Sequence, residues 1–225
     1  MANIVWQGTD GRWKIEDVEK IAQLEIAKYT NQIVVVSVTK EGATLCFYEC
    51  GNEDDKRMIS EGEGEWKLVF ETEANIGKNG IGKTKEGDGK TPIGVYRFIK
   101  AFGILENVQT KMEYTKIGHN HYWVDDGKSN YYNQFIDAKN VKKDWNSAEH
   151  LCEFGESYHY VLATSYNEEG IPGKGSAIFL HCMSNESEDT AGCIAIPEVY
   201  MKKLVTEVKP QCVLIVDTKE KILDY

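Results

Sequence analysis

The chain has 225 residues and carries 26 basic and 36 acidic side chains, which gives a net charge of −10 at neutral pH. Hydrophobic residues make up 41% of the chain and only 4 residues are proline, so a collagen-like or disordered protein is excluded. No apolar run approaches the roughly 18 residues of a membrane-spanning helix. The chain is acidic and has no clustered lysine and arginine stripe, so we expect no nucleic-acid partner.

The predicted elements begin with a helix. Residues 14–28 carry an apolar stripe at helical spacing among Glu and Lys. Residues 32–38 and 43–49 follow as two strands joined by a hairpin. Residues 77–89 contain five glycines and predict a long loop. Residues 106–146 are rich in Tyr, Asn, Asp and Lys, and predict a loop-dominated insertion that covers a site.

The remaining predicted elements are mostly strands. A short second helix is expected at residues 197–208, with Pro at its start and Glu in its first turn. Strands are predicted at residues 66–73, 93–100, 158–165, 176–182 and 212–217. The fold class is therefore mainly β, a barrel or sandwich with a few peripheral helices.

The six cysteines leave several interpretations open. Cys46 and Cys50 lie in one predicted strand, about 13 Å apart at ~3.3 Å per residue, which is too far for a disulfide between them. The chain has no Cys-x-x-Cys pair, the usual signature of zinc ribbons and thioredoxin-like redox sites. We expect most of the cysteines to be buried small hydrophobes, including Cys46, Cys152, Cys182 and Cys212.

Residues 176–197 contain the candidate catalytic side chains. Alternation along the predicted strand places His181 and Cys182 on opposite faces. Cys193 follows twelve residues after His181, beyond a polar loop that can fold back. A thiol with a pKa of about 8.5 is mostly protonated at neutral pH, so an adjacent imidazole is needed to make it a nucleophile. Gly192 permits a tight turn whose amides face an oxyanion, but spacing alone favours a core cysteine beside an incidental histidine.

Several motifs in order resemble the L,D-transpeptidase (YkuD-type) catalytic domains, bacterial enzymes that cross-link peptidoglycan stem peptides. Residues 79–94 resemble the Gly-Lys and Thr-Pro-x-Gly segment of this family, and the resemblance covers about residues 32–217. Residues 123–126, 132–133 and 166–167 resemble one branch of the family. The family's active-site motif is a strand-end His, a loop, then Ser/Thr-x-Gly-Cys and an apolar residue. Here the matching residues are His181, Thr190, Gly192, Cys193 and Ile194.

The resemblance implies a fold and an activity. We expect a β-barrel or sandwich of the L,D-transpeptidase catalytic type at residues 31–225, with residues 1–30 as an N-terminal helical extension packed on it. Cys193, with His181 as base, would attack an L,D-peptide bond in a stem peptide and pass the acyl group to an acceptor amine. The alternatives are an L,D-carboxypeptidase that uses water, and a non-catalytic wall-binding module with the same fold. The predicted substrate and oxyanion residues are Gly192, Thr190, Tyr132, Asn133 and Trp123.

Two positions depart from the family pattern. The second His that many members have before the Gly of the cysteine loop is Ala191 here, and the Arg or Asn two residues after the Cys is Ala195. The side chains that help to hold the substrate therefore do not carry over, and Tyr132, Asn133 and Arg97 are the candidates for that role.

The family likeness also implies partners and a location. We expect no metal and no organic cofactor, and we expect carbapenem-type β-lactams to acylate Cys193. We expect a monomer. Peptidoglycan lies outside the membrane, so an extracytoplasmic, wall-associated or secreted protein is implied, although residues 1–6 show no signal peptide.

Three other motifs suggest a functional site but also have a non-functional interpretation. Residues 77–84 match the phosphate-loop pattern Gly-x-x-x-x-Gly-Lys-Ser/Thr, but the glycines and proline that follow exclude the helix such a loop must open. His119 and His121 are compatible with metal ligands, yet no Asp, Glu or Cys completes a set at recognisable spacing, which favours solvated side chains. The third motif is a lysine group that is either a solvated loop face or an attractor of substrate carboxylates: Lys83, Lys85 and Lys90.

Overall fold

The computed structural model describes residues 15–51, 65–106, 108–184 and 189–225. Within these ranges the α-helices are α1 (Ile15–Ala22) and α2 (Glu198–Glu207), and none is long and apolar enough to cross a membrane. Short 3-10 helices lie at Glu25–Lys28, Leu151–Glu153, Gly155–Tyr158 and Ile222–Asp224. The strands are β1 (Gln32–Thr39), β2 (Gly42–Cys50), β3 (Trp66–Ala74), β4 (Gly94–Gly103), β5 (Tyr114–Lys116), β6 (His121–Val124), β7 (Phe135–Asp137), β8 (Ala148–His150), β9 (Val161–Thr164), β10 (Phe179–Cys182), β11 (Ile194–Ile196) and β12 (Val213–Thr218).

One large sheet organises the molecule. Its strand order is β11-β10-β9-β4-β12-β1-β2-β3, with β5 beside β4. The two ends of this order meet, because Asn75 after β3 exchanges backbone hydrogen bonds of 2.8 and 2.9 Å with Ala195 of β11. The sheet therefore curls into a nearly closed barrel, and the predicted fold class, mainly β with few helices, is confirmed.

β1 is buried on both faces, which explains its continuous apolar sequence. Alternate residues face the main core inside the barrel, to which α2 also contributes. The others, Ile33 and Val35, pack against Ile21 and Leu24 from α1 and the turn after it. Each such buried side chain contributes roughly 1.5–3 kcal/mol. Residues 1–14 of the predicted extension lie outside the described residues, and the division between residues 30 and 31 stays a prediction.

The predicted insertion at residues 106–146 contains β5, β6 and β7, which the sequence analysis missed, and β8 follows directly after it. β6, β7 and β8 form a separate antiparallel sheet in the order β7-β6-β8. Strands of three or four residues are too short to show a period of two. This small sheet packs on the barrel through Trp123, whose ring lies 4.7 Å from that of Phe179 in an edge-on contact. The insertion therefore lies beside the strand that carries His181.

The Gly-rich segment is a loop, as predicted. Residues 77–89 contain no helix and no strand, only isolated bridge pairs at Gly77 and Ile81. The rejection of a phosphate loop agrees with this, because no helix follows the glycines. Nearer the candidate chemistry, the predicted strand 176–182 is shortened to β10, since Ala177 before it adopts φ +53°.

Candidate active site

His181 and Cys193 lie on neighbouring parallel strands. His181 belongs to β10, and Cys193 directly precedes β11, where Leu180 pairs with Ile194. Leu180 and Ile194 face the main core, so their chain neighbours face the opposite side. Cys193 packs there against the cluster that contains Phe179. The structure therefore brings the two predicted catalytic residues to one face of the strand pair.

The Cys193 thiol is partly exposed and is hydrogen-bonded to backbone groups. Its S–H donates to the Ala177 carbonyl at 3.1 Å, and Sγ accepts the N–H of Phe179 at 3.3 Å. Burial, together with the negative charge of Glu149, raises the pKa of Cys193 to about 12. The resting Cys193 side chain is therefore a neutral thiol, and it would need a base to act as a nucleophile.

His181 is held in a form suited to that task. Its Nδ1 lies 2.8 Å from the carbonyl oxygen of Cys182, so the N–H is assigned to Nδ1 and Nε2 keeps its lone pair. Burial lowers the pKa of His181, which favours the neutral ring at pH 7. The ring of Tyr158 packs against it, with centroids 5.6 Å apart. The imidazole is thus fixed, neutral and able to accept a proton.

The turn before Cys193 requires glycine. Gly192 has φ +145°, and a Cβ at this position would lie 2.8 Å from the Lys90 carbonyl oxygen. Thr190 Oγ1 accepts the Gly192 N–H at 3.1 Å and donates to the Cys193 carbonyl at 2.7 Å. The Gly192 N–H is therefore used inside the turn, and Thr190 acts as a positioning residue. The Cys193 N–H is the candidate oxyanion donor of this turn.

A buried ion pair lies behind this turn. Lys83 Nζ is 2.9 Å from Asp88 Oδ1, and the two side chains are only 2% and 8% exposed. Burial opposes ionisation of Asp88, but three backbone N–H groups of the loop and the Lys83 ammonium hold its pKa well below the usual range. The Lys83 charge also lowers the pKa of Cys193. The interpretation of Lys83 as part of a solvated loop face is therefore wrong, because the loop buries its side chain.

Glu149 of β8 is a second ionisable group near Cys193, and sequence reasoning missed it. Burial raises the pKa of Glu149 to about 7, although the Tyr158 hydroxyl donates to its Oε2 at 2.8 Å and opposes this shift. Tyr158 is itself buried between Glu149 and His181. A single Glu in a three-residue strand gives no sequence signal, so only the packing of the insertion identifies it.

Asn133, with Trp123 bonded to it, fixes the backbone of Ala177, whose carbonyl accepts the S–H of Cys193. Asn133 Oδ1 accepts the indole N–H of Trp123 at 2.9 Å and the N–H of Ala177 at 3.0 Å. Its amide group donates to the carbonyls of Tyr166 and Asn167 at 3.1 and 2.7 Å. The whole amide is therefore used to position Ala177. A direct contact of Asn133 or Trp123 with substrate stays a prediction.

Tyr132 and Arg97 were the other candidates for holding substrate. The Tyr132 hydroxyl donates to Glu86 at 2.5 Å and accepts the Gly175 N–H at 3.2 Å, so it supports the segment leading to Ala177. Arg97 forms an exposed ion pair of 2.9 Å with Glu168. Tyr132 thus belongs to the structure around the thiol, and the Arg97 guanidinium is engaged at the surface.

All six cysteines are free. Cys46, Cys182 and Cys212 are buried, as predicted, and Cys50 is buried as well. The prediction of a packing role is wrong for Cys152, which is partly exposed and contacts two imidazoles.

Comparison with known proteins gives a family. The family model for the YkuD L,D-transpeptidase catalytic domain matches residues 34–216. Among solved structures, the chain is similar to a Cys-to-Ser mutant of an Enterococcus faecium L,D-transpeptidase, with 12% identity, a TM-score of 0.39, and coverage of 84% of this chain and 50% of that chain. This chain thus spans about half the length of that protein. No curated protein matches the chain. Because the family match extends over most of the sequence, the chain belongs to the YkuD family of L,D-transpeptidase catalytic domains.

Proposed function

We propose that this protein is a peptidoglycan L,D-transpeptidase that uses Cys193 to remodel or cross-link stem peptides of the bacterial cell wall. The observation that supports this most is the placement of a partly exposed thiol and a fixed, neutral imidazole on one face of two adjoining strands. Acyl transfer needs this pair, because the thiol by itself is not nucleophilic at neutral pH.

In the first step, Nε2 of His181 takes the proton of Cys193 as Sγ bonds to the carbonyl carbon of an L,D-peptide bond. The carbonyl oxygen then carries a negative charge, for which we propose the Cys193 N–H as donor. The C–N bond breaks, the leaving amine of the D-residue takes the proton from His181, and a thioester remains on Sγ. An amine of a second stem peptide attacks this thioester and passes a proton to His181. The C–S bond breaks, and the departing sulfur takes the proton from His181, which restores the thiol and leaves the new peptide bond.

We further propose that Lys83 supplies a positive charge to the cysteine loop, in which Ala191 replaces the second His of many family members. Its ammonium is buried with Asp88 behind the Gly192 turn, and it favours the ionised form of Cys193. A fixed charge in a site of low dielectric stabilises a developing anion without reorganisation. Lys83 would therefore act through the field at Sγ and at the oxyanion.

The test of the nucleophile is intact mass after incubation with a carbapenem. The wild-type chain should gain one adduct, because the strained lactam acylates the thiol, whereas Cys193→Ala should gain none. Cys212→Ala is the matched control, since its thiol is buried in the core and the adduct should persist. An unmodified wild-type chain, or an adduct retained by Cys193→Ala, would contradict the assignment.

The products formed from purified muropeptides identify the group that accepts the acyl chain. Cross-linked dimers support transfer to an amine, and trimmed monomers alone indicate an L,D-carboxypeptidase. Wall binding without any turnover, unchanged in Cys193→Ala, indicates the non-catalytic module. An extracytoplasmic location is part of the proposal, since the substrate lies outside the membrane; fractionation of cells that produce the full-length gene product tests it.

A further inference from the structure

A second cysteine–histidine group, distinct from Cys193 and His181, lies on the insertion and on the segment directly after it. Cys152 Sγ is 3.2 Å from Nε2 of His150 and 3.8 Å from Nδ1 of His119. One ligand atom from each of the three residues lies within 4.8 Å of the other two. These residues come from the turn before β6 and from the segment that begins at the end of β8, so the fold assembles the group from two parts of the chain.

The spacing of these atoms suits a tetrahedral metal ion. With Zn–S of about 2.3 Å and Zn–N of about 2.0–2.1 Å, tetrahedral angles separate sulfur and nitrogen by about 3.5 Å. The two observed sulfur–nitrogen distances, 3.2 and 3.8 Å, lie on either side of this value. Thiolate and imidazole ligands select borderline or soft ions such as Zn²⁺ over Mg²⁺ or Ca²⁺.

The surroundings of His150 supply an independent observation. Its Nδ1 lies 2.7 Å from a Glu153 carboxylate oxygen, and its ring stacks on Tyr122 at 4.6 Å with an 11° interplanar angle. A carboxylate on the far nitrogen is the usual partner of a metal-bound imidazole, since it orients the ring and makes Nε2 a better ligand. Nε2 also lies 3.0 Å from the His119 carbonyl oxygen, a contact that a metal ion would replace.

The sequence analysis weighed His119 and His121 together as metal ligands and favoured solvated side chains, and in the fold His121 is engaged elsewhere. His121 accepts the Gly118 N–H on its Nδ1 at 2.9 Å and its ring lies beside Phe135. The missing sulfur ligand comes instead from Cys152, far along the chain. This is why spacing in the sequence gave no recognisable metal motif.

We propose that His119, His150 and Cys152 form a binding site for a divalent transition metal, with Zn²⁺ as the natural occupant and water as the fourth ligand. Binding displaces the proton of the Cys152 thiol and the proton on Nε2 of His150 and releases both to solvent, while Nδ1–H stays hydrogen-bonded to Glu153. The thiolate and the Glu153 carboxylate then balance the two charges of the ion. The ion would join the turn before β6 to the end of β8, which also carries Glu149. The site is independent of the proposed acyl transfer.

Cobalt(II) titration of the full chain tests the site, because a cobalt–thiolate bond gives a charge-transfer band in the near ultraviolet. Wild type should show the band with one ion per chain, and Zn²⁺ should abolish it by displacement. Cys152→Ser should lose the band, whereas the matched variant Cys193→Ser should retain it. His119→Asn, a change in an exposed turn that leaves folding intact, should weaken cobalt binding.

Two further measurements make the test decisive. Glu153→Gln should weaken binding about 10–100-fold while the band persists, as expected for a carboxylate outside the ligand shell. Zn²⁺ should raise the melting temperature of wild type but not of Cys152→Ser, because binding to the folded state alone is stabilising. The proposal is overturned if wild type shows no band, or if the band survives Cys152→Ser and disappears in Cys193→Ser.

Discussion

The two cysteine–histidine groups of this molecule differ in what surrounds each thiol. The Cys193 thiol bonds to the backbone of Ala177 and Phe179, and the imidazole of His181 on the neighbouring strand is anchored by a carbonyl of its own strand. The Cys152 sulfur instead contacts two imidazoles directly. The first arrangement keeps a lone pair on His181 for proton transfer, and the second brings three candidate ligand atoms within 4.8 Å of one another. The same residue types therefore suit acyl transfer in one place and metal binding in the other.

The largest effect should come from removing one imidazole at each group. His181→Gln should slow carbapenem acylation of Cys193 about 10²–10⁴-fold, because the thiol, with its pKa near 12, loses its base. His150→Gln should leave the rate unchanged while it weakens cobalt binding. Stopped-flow acylation at saturating carbapenem measures the rate in both variants, and cobalt titration measures metal binding. Equal losses in the two variants would mean that the groups act as one unit.

The buried charge of Lys83 should affect the reactivity of Cys193 and leave metal binding at Cys152 unchanged. Lys83→Gln leaves Asp88 buried without its counter-ion and should lower the free energy of unfolding by about 3 kcal/mol. It should also slow alkylation of Cys193, since the Lys83 charge lowers the pKa of that thiol. Urea unfolding and alkylation rates provide the two measurements. Lys85→Gln, a change at an exposed neighbour, is the control and should alter neither the free energy of unfolding nor the alkylation rate. The wild type and both variants should bind cobalt with the same affinity.

The amide of Asn133 should support the nucleophile through the backbone. Asn133→Ala leaves the Trp123 indole N–H and the Ala177 N–H without their acceptor, which should cost about 2 kcal/mol. Thermal and urea unfolding measure this loss. Asn140→Ala, an exposed change on the insertion, should cost less than about 0.5 kcal/mol. A similar small loss at Asn133 would show that this amide is dispensable.

The smallest effect concerns the pH dependence of stability. Because the pKa of Glu149 is raised from 4.5 to about 7, its carboxyl binds a proton more tightly in the folded chain than in the unfolded one. Its presence therefore makes the free energy of unfolding fall as the pH rises from 4.5 to about 7. Glu149→Gln should flatten this fall. Unfolding series across this pH range measure it, with the exposed Glu156→Gln as a control that keeps the wild-type slope.

Much of the barrel was predictable because its strands carry strong local patterns. β1 and β2 have long β-branched and apolar runs joined by a short turn, and α2 begins after a proline with an acidic first turn. The short strands of the insertion were missed, since three or four residues carry no periodic signal. Their pairing depends on contacts with the barrel through Trp123.

At the proposed nucleophile, local sequence was sufficient for the turn and the thiol. Thr190, Gly192 and Cys193 lie within four residues, and their geometry follows from a hydroxyl, a backbone without Cβ and a strand start. The environment of that thiol depended on folding. The charge of Lys83, the raised pKa of Glu149 and the convergence of His119 with Cys152 all arise from burial and from contacts between distant segments, which no local spacing encodes.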